Sequence, residues 1–72
     1  MKKKYKLLEL DCANCAAKME EKIKKIDGVA DANISFMLQK LVIEADEADF
    51  DRVLDEAQKA ITSVEKNCRI ER

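Results

Sequence analysis

Apolar residues recur with two different periods along this chain of 72 residues, and the order of those periods limits its fold more than any other feature. A period of two residues is typical of a half-buried strand, whereas spacings of three and four residues are typical of an amphipathic helix. From the N-terminus, the periods predict strand, helix, strand, strand, helix and strand. We see no repeat, linker or low-complexity segment, so residues 1–72 are expected to form one domain.

Four segments have the pattern of a strand. The first is Lys4–Leu10 and the last is Val64–Arg72. Between the predicted helices, Val29–Phe36 and Lys40–Ala45 also alternate, and we expect them to pair as a hairpin. Met37-Leu38-Gln39 would form the turn, although it contains no glycine, asparagine or proline and the region also fits a helical stripe. The β-branched residues on either side favour strands.

Two amphipathic helices are predicted. The first runs from Cys15 to about Asp27 and ends before Gly28, because a left-handed backbone conformation is easiest for glycine. The second follows Asp46, which with Asp49 is a candidate N-cap. The expected inward-facing residues are Ala16, Met19, Ile23 and Ile26 in the first helix, Ala32, Ile34 and Phe36 in the second strand, and Phe50, Val53, Leu54, Ala57 and Ile61 in the second helix.

The order of elements predicts an α+β fold. Short connections and right-handed crossovers convert this order into the split β-α-β arrangement, in which two helices pack on one face of a four-stranded antiparallel sheet. A chain this short buries only about 60% of its unfolded surface, so its core is small. An enclosed active site is therefore not expected.

The charge balance and the cysteine count exclude several classes of partner. Fourteen basic and fifteen acidic residues give a net charge of −1, so no basic excess favours nucleic acid or an anionic membrane. The longest aliphatic run, Leu41-Val42-Ile43, is far shorter than the roughly 20 residues of a membrane-spanning helix. Three cysteines are an odd number for a secreted disulfide framework, which favours a reducing cytoplasm. We expect a cytoplasmic monomer without direct membrane insertion.

Cys12 and Cys15 are the residues most able to carry chemistry, in the run Leu10-Asp11-Cys12-Ala13-Asn14-Cys15-Ala16. Two thiols at this spacing either bind one soft metal ion or form a redox disulfide. If the first helix starts near Cys15, unpaired N–H groups at the positive end of the helix dipole favour the Cys15 thiolate. Thiolate is the form that binds metal.

Asp11 bears on which metal the thiols suit. Two thiolates alone suit copper(I), whereas zinc normally takes four ligands. A carboxylate from Asp11 would add a hard oxygen and shift the preference toward zinc, cadmium or lead. The alternative is that Asp11 caps the helix, although Asn14 is better placed as the cap. Cys68 and Met19 also carry sulfur, but their spacing places both in the core.

This loop, the helix after it, Gly28-Val29 and the element order together resemble the heavy-metal-associated domain family over nearly the whole chain. The family has a ferredoxin-like fold and includes copper metallochaperones and the cytosolic N-terminal domains of metal-transporting P-type ATPases. The resemblance implies a non-enzymatic domain that binds one soft ion at Cys12 and Cys15. Asp11 before Cys12 resembles the domains of zinc, cadmium and lead exporters, which favours Asp11 as a ligand. Ser63-Val64 replaces the family's common Gly-Tyr, which weakens the copper interpretation.

Three functions are consistent with the sequence. The leading one is binding and transfer of zinc, cadmium or lead by ligand exchange, either as the N-terminal domain of a metal-exporting P-type ATPase or as a stand-alone metallochaperone. Its partner would be a metal-transporting ATPase or that ATPase's other domains. A copper(I) chaperone or binding domain is the alternative. The second is a thiol–disulfide oxidoreductase, although the element order and the absence of a proline beside the sulfurs count against it. The third is a plain interaction domain with incidental cysteines.

Overall fold

The computed structural model describes residues 1–71 and confirms the predicted order of elements. The strands and helices are β1 Lys2–Leu8, α1 Ala13–Lys24, β2 Val29–Ser35, β3 Lys40–Ala45, α2 Phe50–Val64 and β4 Arg69–Glu71. A single 3-10 turn, Glu47–Asp49, leads into α2. In residues 1–71, neither helix is long and apolar enough to cross a bilayer.

The four strands form one antiparallel sheet, as predicted, and their order in it is β2-β3-β1-β4. Alternate residues of the strands face opposite sides, so Leu41 and Ile43 are fully buried while Lys4 and Lys40 are exposed. Both helices pack on the buried side, where their apolar stripes join the sheet in one core. The opposite side of the sheet is open.

The core contains the residues that the two periods select. Its members are Leu7, Leu10, Ala16, Met19, Ile23, Ala32, Ile34, Leu41, Ile43, Ala45, Phe50, Val53, Leu54, Ala57, Ile61, Cys68 and Ile70. Met19 and Cys68 are both 0% exposed, which confirms that they pack as apolar side chains. Phe36 is 38% exposed, so its predicted inward orientation is wrong. It is the first residue of the turn, where the strand alternation has already ended.

The two terminal strands are placed differently from their predicted bounds. β1 ends at Leu8 rather than Leu10, because Glu9 has a φ of 60° and takes the chain out of the extended conformation. At the other end, Val64 belongs to α2 and not to a strand beginning there. The predicted last residue of that strand, Arg72, lies outside the described residues.

The predicted helix ends are also shifted. α1 begins at Ala13 instead of Cys15 and ends at Lys24, with Gly28 in the following turn at a φ of 96°. Asp46 and Asp49 occupy the N-cap positions of the 3-10 turn and of α2, but neither side chain makes a capping hydrogen bond. A carboxylate oxygen of Asp49 lies instead 3.9 Å from Nη2 of Arg52.

Candidate metal centre

Three connections meet at one end of the sheet: the β1–α1 loop, the β2–β3 turn and the α2–β4 loop. The backbone N–H of Leu7 donates to the carbonyl of Gln39 at 2.7 Å, joining the end of β1 to the turn. The backbone N–H of Asp11 reaches a carboxylate oxygen of Glu65 in the α2–β4 loop at 3.5 Å. The cysteine pair lies in the first of these connections.

Cys12 is the N-cap of α1. Its backbone is extended, with a φ of −132°, and its Sγ accepts a hydrogen bond from the N–H of Cys15 at 3.2 Å. Its carbonyl accepts the first helical bond, from Ala16 at 3.0 Å. The prediction that Asn14 caps the helix is therefore wrong, because Asn14 already lies within the first turn. Asp11 does not fill the cap position either.

The two thiols of the motif are close together and accessible. Both are free and half-buried, and the backbone N–H of Cys15 donates to the Cys12 sulfur, which brings the two residues together. Leu10 and Ala16, directly before and after the pair, are buried and anchor the segment to the core. Two adjacent soft donors in a shallow loop fit a soft metal ion, which two thiolates hold well.

The hydrogen bonds shift the pKa values of the two thiols in opposite directions. The pKa of Cys12 is lowered because its sulfur accepts from the Cys15 thiol and from the Cys15 backbone N–H. The pKa of Cys15 is raised, first because its thiol is the donor to Cys12, then by burial and by the charges of Cys12 and Glu65. The prediction that the helix start favours the Cys15 thiolate is thus wrong, since Cys12 faces the unpaired N–H groups.

Asp11 is exposed and lies directly before the N-cap. In residues 1–71, no three side chains of His, Cys, Asp or Glu converge on a point that could hold a metal ion. The structure therefore brings Cys12 and Cys15 together but does not bring the Asp11 carboxylate to them. A metal ion held by all three side chains requires the Asp11 side chain to turn toward the pair.

Glu65 is a site residue that the sequence did not reveal. It is half-buried, follows the last residue of α2, and its negative charge raises the pKa values of Cys12 and Cys15. The strand predicted to begin at Val64 includes Glu65, so the sequence pattern gave no reason to place Glu65 near the cysteines. Ending the helix at Val64 would have placed Glu65 in the α2–β4 loop, beside the cysteines.

Cys68 lies near the same end of the sheet but is sealed from solvent. Its side chain is 0% exposed, and burial raises the pKa of its thiol to about 11, with smaller contributions from Glu65, Asp11 and Glu9. A thiol that neither solvent nor a metal ion can reach is a poor metal ligand. Cys68 is a core residue, as its position in the sequence predicts.

Several solved structures share this fold. The CopZ metallochaperone superposes with a TM-score of 0.74 at 15% identity, covering 99% of this chain and 100% of CopZ. The N-terminal domain of ZntA in its apo form gives a TM-score of 0.72 at 27% identity, covering 99% of this chain and 92% of that domain. The common architecture is the ferredoxin-like fold.

Relatives in sequence are metal-transporting ATPases. The cadmium, zinc and cobalt-transporting ATPase of Bacillus subtilis is 30% identical over 70 residues, which cover 97% of this chain and 10% of the transporter. The zinc/cadmium/lead-transporting P-type ATPase of Shigella sonnei is 36% identical over 56 residues, which cover 78% of this chain and 8% of the transporter. This chain therefore spans a tenth or less of the length of these relatives.

The sequence profile of the heavy-metal-associated domain matches residues 5–67, a span that runs from β1 past the end of α2 and includes both Cys12 and Cys15. The chain belongs to the heavy-metal-associated domain family.

Proposed function

We propose that this chain binds one divalent soft metal ion, zinc, cadmium or lead, through Cys12 and Cys15. As a member of its family it is a non-catalytic heavy-metal-binding domain related to ATPase N-terminal domains and chaperones. The observation that carries the proposal is that two free, half-buried cysteines lie together at the start of α1, where the Cys15 N–H donates to the Cys12 sulfur at 3.2 Å. Cys68, the third thiol, is sealed in the core and takes no part.

The preference for a divalent ion rests on the carboxylates beside the thiols. Glu65 acts electrostatically on both cysteines, and Asp11 immediately precedes Cys12. A hard oxygen added to two sulfurs favours zinc, cadmium or lead over copper(I). Relatives named as cadmium and zinc transporters support the same choice. Copper(I) is the alternative, because two thiolates alone suit that ion and CopZ shares the fold.

The proposed mechanism is transfer by ligand exchange. Both sulfurs would bind the ion as thiolates, so binding releases the protons of the Cys12 and Cys15 thiols to solvent. The Cys15 N–H keeps its contact with the Cys12 sulfur, which orients that donor toward the loop surface. An incoming thiolate or carboxylate of a partner can then displace one sulfur at a time. The partner we propose is a metal-transporting ATPase or another domain of the same transporter.

The metal class is tested by titrating the reduced protein with zinc, cadmium and copper(I) in competition with chelators. We expect Asp11→Asn and Glu65→Gln to weaken zinc and cadmium binding by about tenfold or more each, while copper(I) affinity stays unchanged. Asp51→Asn is the matched control, because Asp51 is an exposed acid in the first turn of α2. Zinc affinity at the parental level in both site variants would rule out the carboxylates as ligands.

The oxidoreductase alternative is tested separately. The isolated protein is expected not to catalyse disulfide reduction in insulin, because a metal-transfer site needs no redox partner. Turnover of insulin with a thiol reductant would support the alternative and count against transfer of a metal ion as the main role of the pair.

A further inference from the structure

Two residues other than glycine have a positive φ among residues 1–71, and both border the metal-binding loop. Glu9 begins the β1–α1 loop with a φ of 60°, and Gln39 ends the β2–β3 turn with a φ of 55°. This conformation is costly for any residue with a Cβ, and it persists only where the surroundings impose it. Gln39 is of particular interest because its side chain reaches the other loop.

The Gln39 side chain ties the turn to the loop that carries the cysteines. Its Nε2 donates to the carbonyl of Leu10 at 2.8 Å and to the carbonyl of Phe36 at 2.9 Å. Its backbone carbonyl accepts from the N–H of Leu7 at 2.7 Å. Gln39 thus holds the chain on both sides of Glu9, and one of its partners directly precedes Asp11.

Glycine would remove the backbone strain at this position, yet glycine has no side-chain amide. The contrast is Gly28, whose φ of 96° lies in a turn where an added Cβ would stand 2.6 Å from Nη2 of Arg52. There the chain carries the residue that the backbone prefers. At position 39 the chain carries a residue that this backbone conformation disfavours. What the glutamine side chain adds is the hydrogen bond to the Leu10 carbonyl.

We infer that Gln39 is a positioning residue of the metal centre, an inference that rests on the proposed function. It touches no metal ion. By fixing the Leu10 carbonyl, it fixes the starting point of Asp11 and Cys12 and so the direction in which their side chains project. Groups that orient metal ligands in this way commonly change affinity by about 10- to 100-fold when they are removed.

The test compares Gln39→Gly and Gln39→Asn with the parent. Both substitutions suit a left-handed backbone, and asparagine keeps the amide but is one methylene too short to reach Leu10. We expect urea midpoints at or above the parental value, cadmium affinity weaker by about tenfold, and larger 15N-detected motion at Asp11 and Cys12 in the metal-free protein. Met37→Ala, at a side chain that is 91% exposed in the same turn, is expected to match the parent in all three.

Two results would overturn the inference. One is parental cadmium affinity in both Gln39 variants. The other is a loss of affinity that merely follows a loss of global stability, which would mean that Gln39 supports the fold and not the site. If the parent itself fails to bind cadmium, the proposed function fails, and the 15N data still decide whether Gln39 holds the loop.

Discussion

At one end of the sheet, cysteine thiols occur in two different environments. One contains the pair Cys12 and Cys15, and the other contains the single Cys68. The pair is half-buried and joined by a hydrogen bond from the Cys15 N–H to the Cys12 sulfur, whereas Cys68 is 0% exposed. Burial raises the pKa of Cys68 to about 11, and hydrogen bonds lower the pKa of Cys12. Position relative to the core therefore distinguishes the two accessible thiols, which are the proposed ligands, from Cys68, which packs as an apolar side chain.

The difference originates in the local backbone. Cys12 stands just before the first turn of α1, where helix N–H groups lack intrahelical partners and a sulfur can accept from them. Cys68 stands just before β4, on the side of the sheet that the helices cover. A free cysteine in such a place behaves as a small apolar residue.

Removal of the thiols from one region at a time is expected to have the largest effect. Replacing Cys12 and Cys15 together with serine is expected to weaken cadmium binding by at least about a thousandfold, because both soft donors are lost. Cys68→Ala is the control and should leave the affinity unchanged within the error of the titration. Equal losses in the two proteins, measured by chelator competition, would show that the regions do not differ in function.

Thiol reactivity distinguishes the accessible pair from the buried cysteine in the absence of a metal ion. We expect iodoacetamide to modify Cys68 at least about a hundredfold more slowly than Cys12 in the native reduced protein, since Cys68 must wait for opening of the core. Digestion and mass spectrometry of timed samples give the rate for each thiol. In urea the three rates should become similar, and a native rate for Cys68 close to that of Cys12 would contradict its burial.

The raised pKa of Cys68 predicts a loss of stability at alkaline pH. Burial raises the pKa of the folded thiol to about 11, whereas the thiol of the unfolded chain has its ordinary pKa of about 8.5. Between these values only the unfolded chain releases the proton, so the free energy of unfolding falls by roughly 1.4 kcal/mol per pH unit as pH rises. Below the lower value this contribution is fully present.

Urea unfolding of the parent and of Cys68→Ala across this pH range measures the loss. The two proteins differ at no other side chain, so the difference between their slopes isolates Cys68. Parallel slopes for the two proteins would mean that the folded thiol titrates normally.

Serine substitutions are expected to have the smallest effects on stability, and they distinguish a cysteine in the core from one at the helix N-cap. Cys68→Ser is expected to destabilise the fold by about 1–3 kcal/mol, because a hydroxyl replaces an apolar group in the core. Cys12→Ser is expected to cost less than about 0.5 kcal/mol or to stabilise, since serine is a preferred N-cap. Urea midpoints test both changes. A large loss from Cys12→Ser would show that the pair is part of the core.

The apolar periods predicted the sheet, the hairpin and the core well because burial is what those periods report. β3 was predicted with its observed bounds, Lys40–Ala45, and Cys68 was predicted to face inward. The end of α2 was missed because Val64 fits both a helical stripe and a strand beginning there. The same ambiguity explains why Glu65 was not predicted to lie near the cysteines, since its position follows from where the helix ends.

The details of the candidate site depended on hydrogen bonds that periodicity does not encode. Asn14 has a common capping side chain, yet Cys12 is the N-cap because its sulfur reaches the N–H of Cys15. The hydrogen bond from the Gln39 side chain to the Leu10 carbonyl joins residues far apart in sequence and could not be predicted from either segment alone. Cys12 and Cys15 themselves were selected by their spacing, and their role as ligands is still a proposal.

X-ray absorption at the cadmium edge of the loaded, reduced protein reports which atoms surround the bound ion. The proposed site predicts one cadmium ion per chain with two sulfur neighbours, supplied by Cys12 and Cys15, and oxygen in the remaining positions. The same spectrum should persist in Cys68→Ala. A cadmium shell without sulfur, or a sulfur signal that survives replacement of Cys12 and Cys15 with serine, would contradict it.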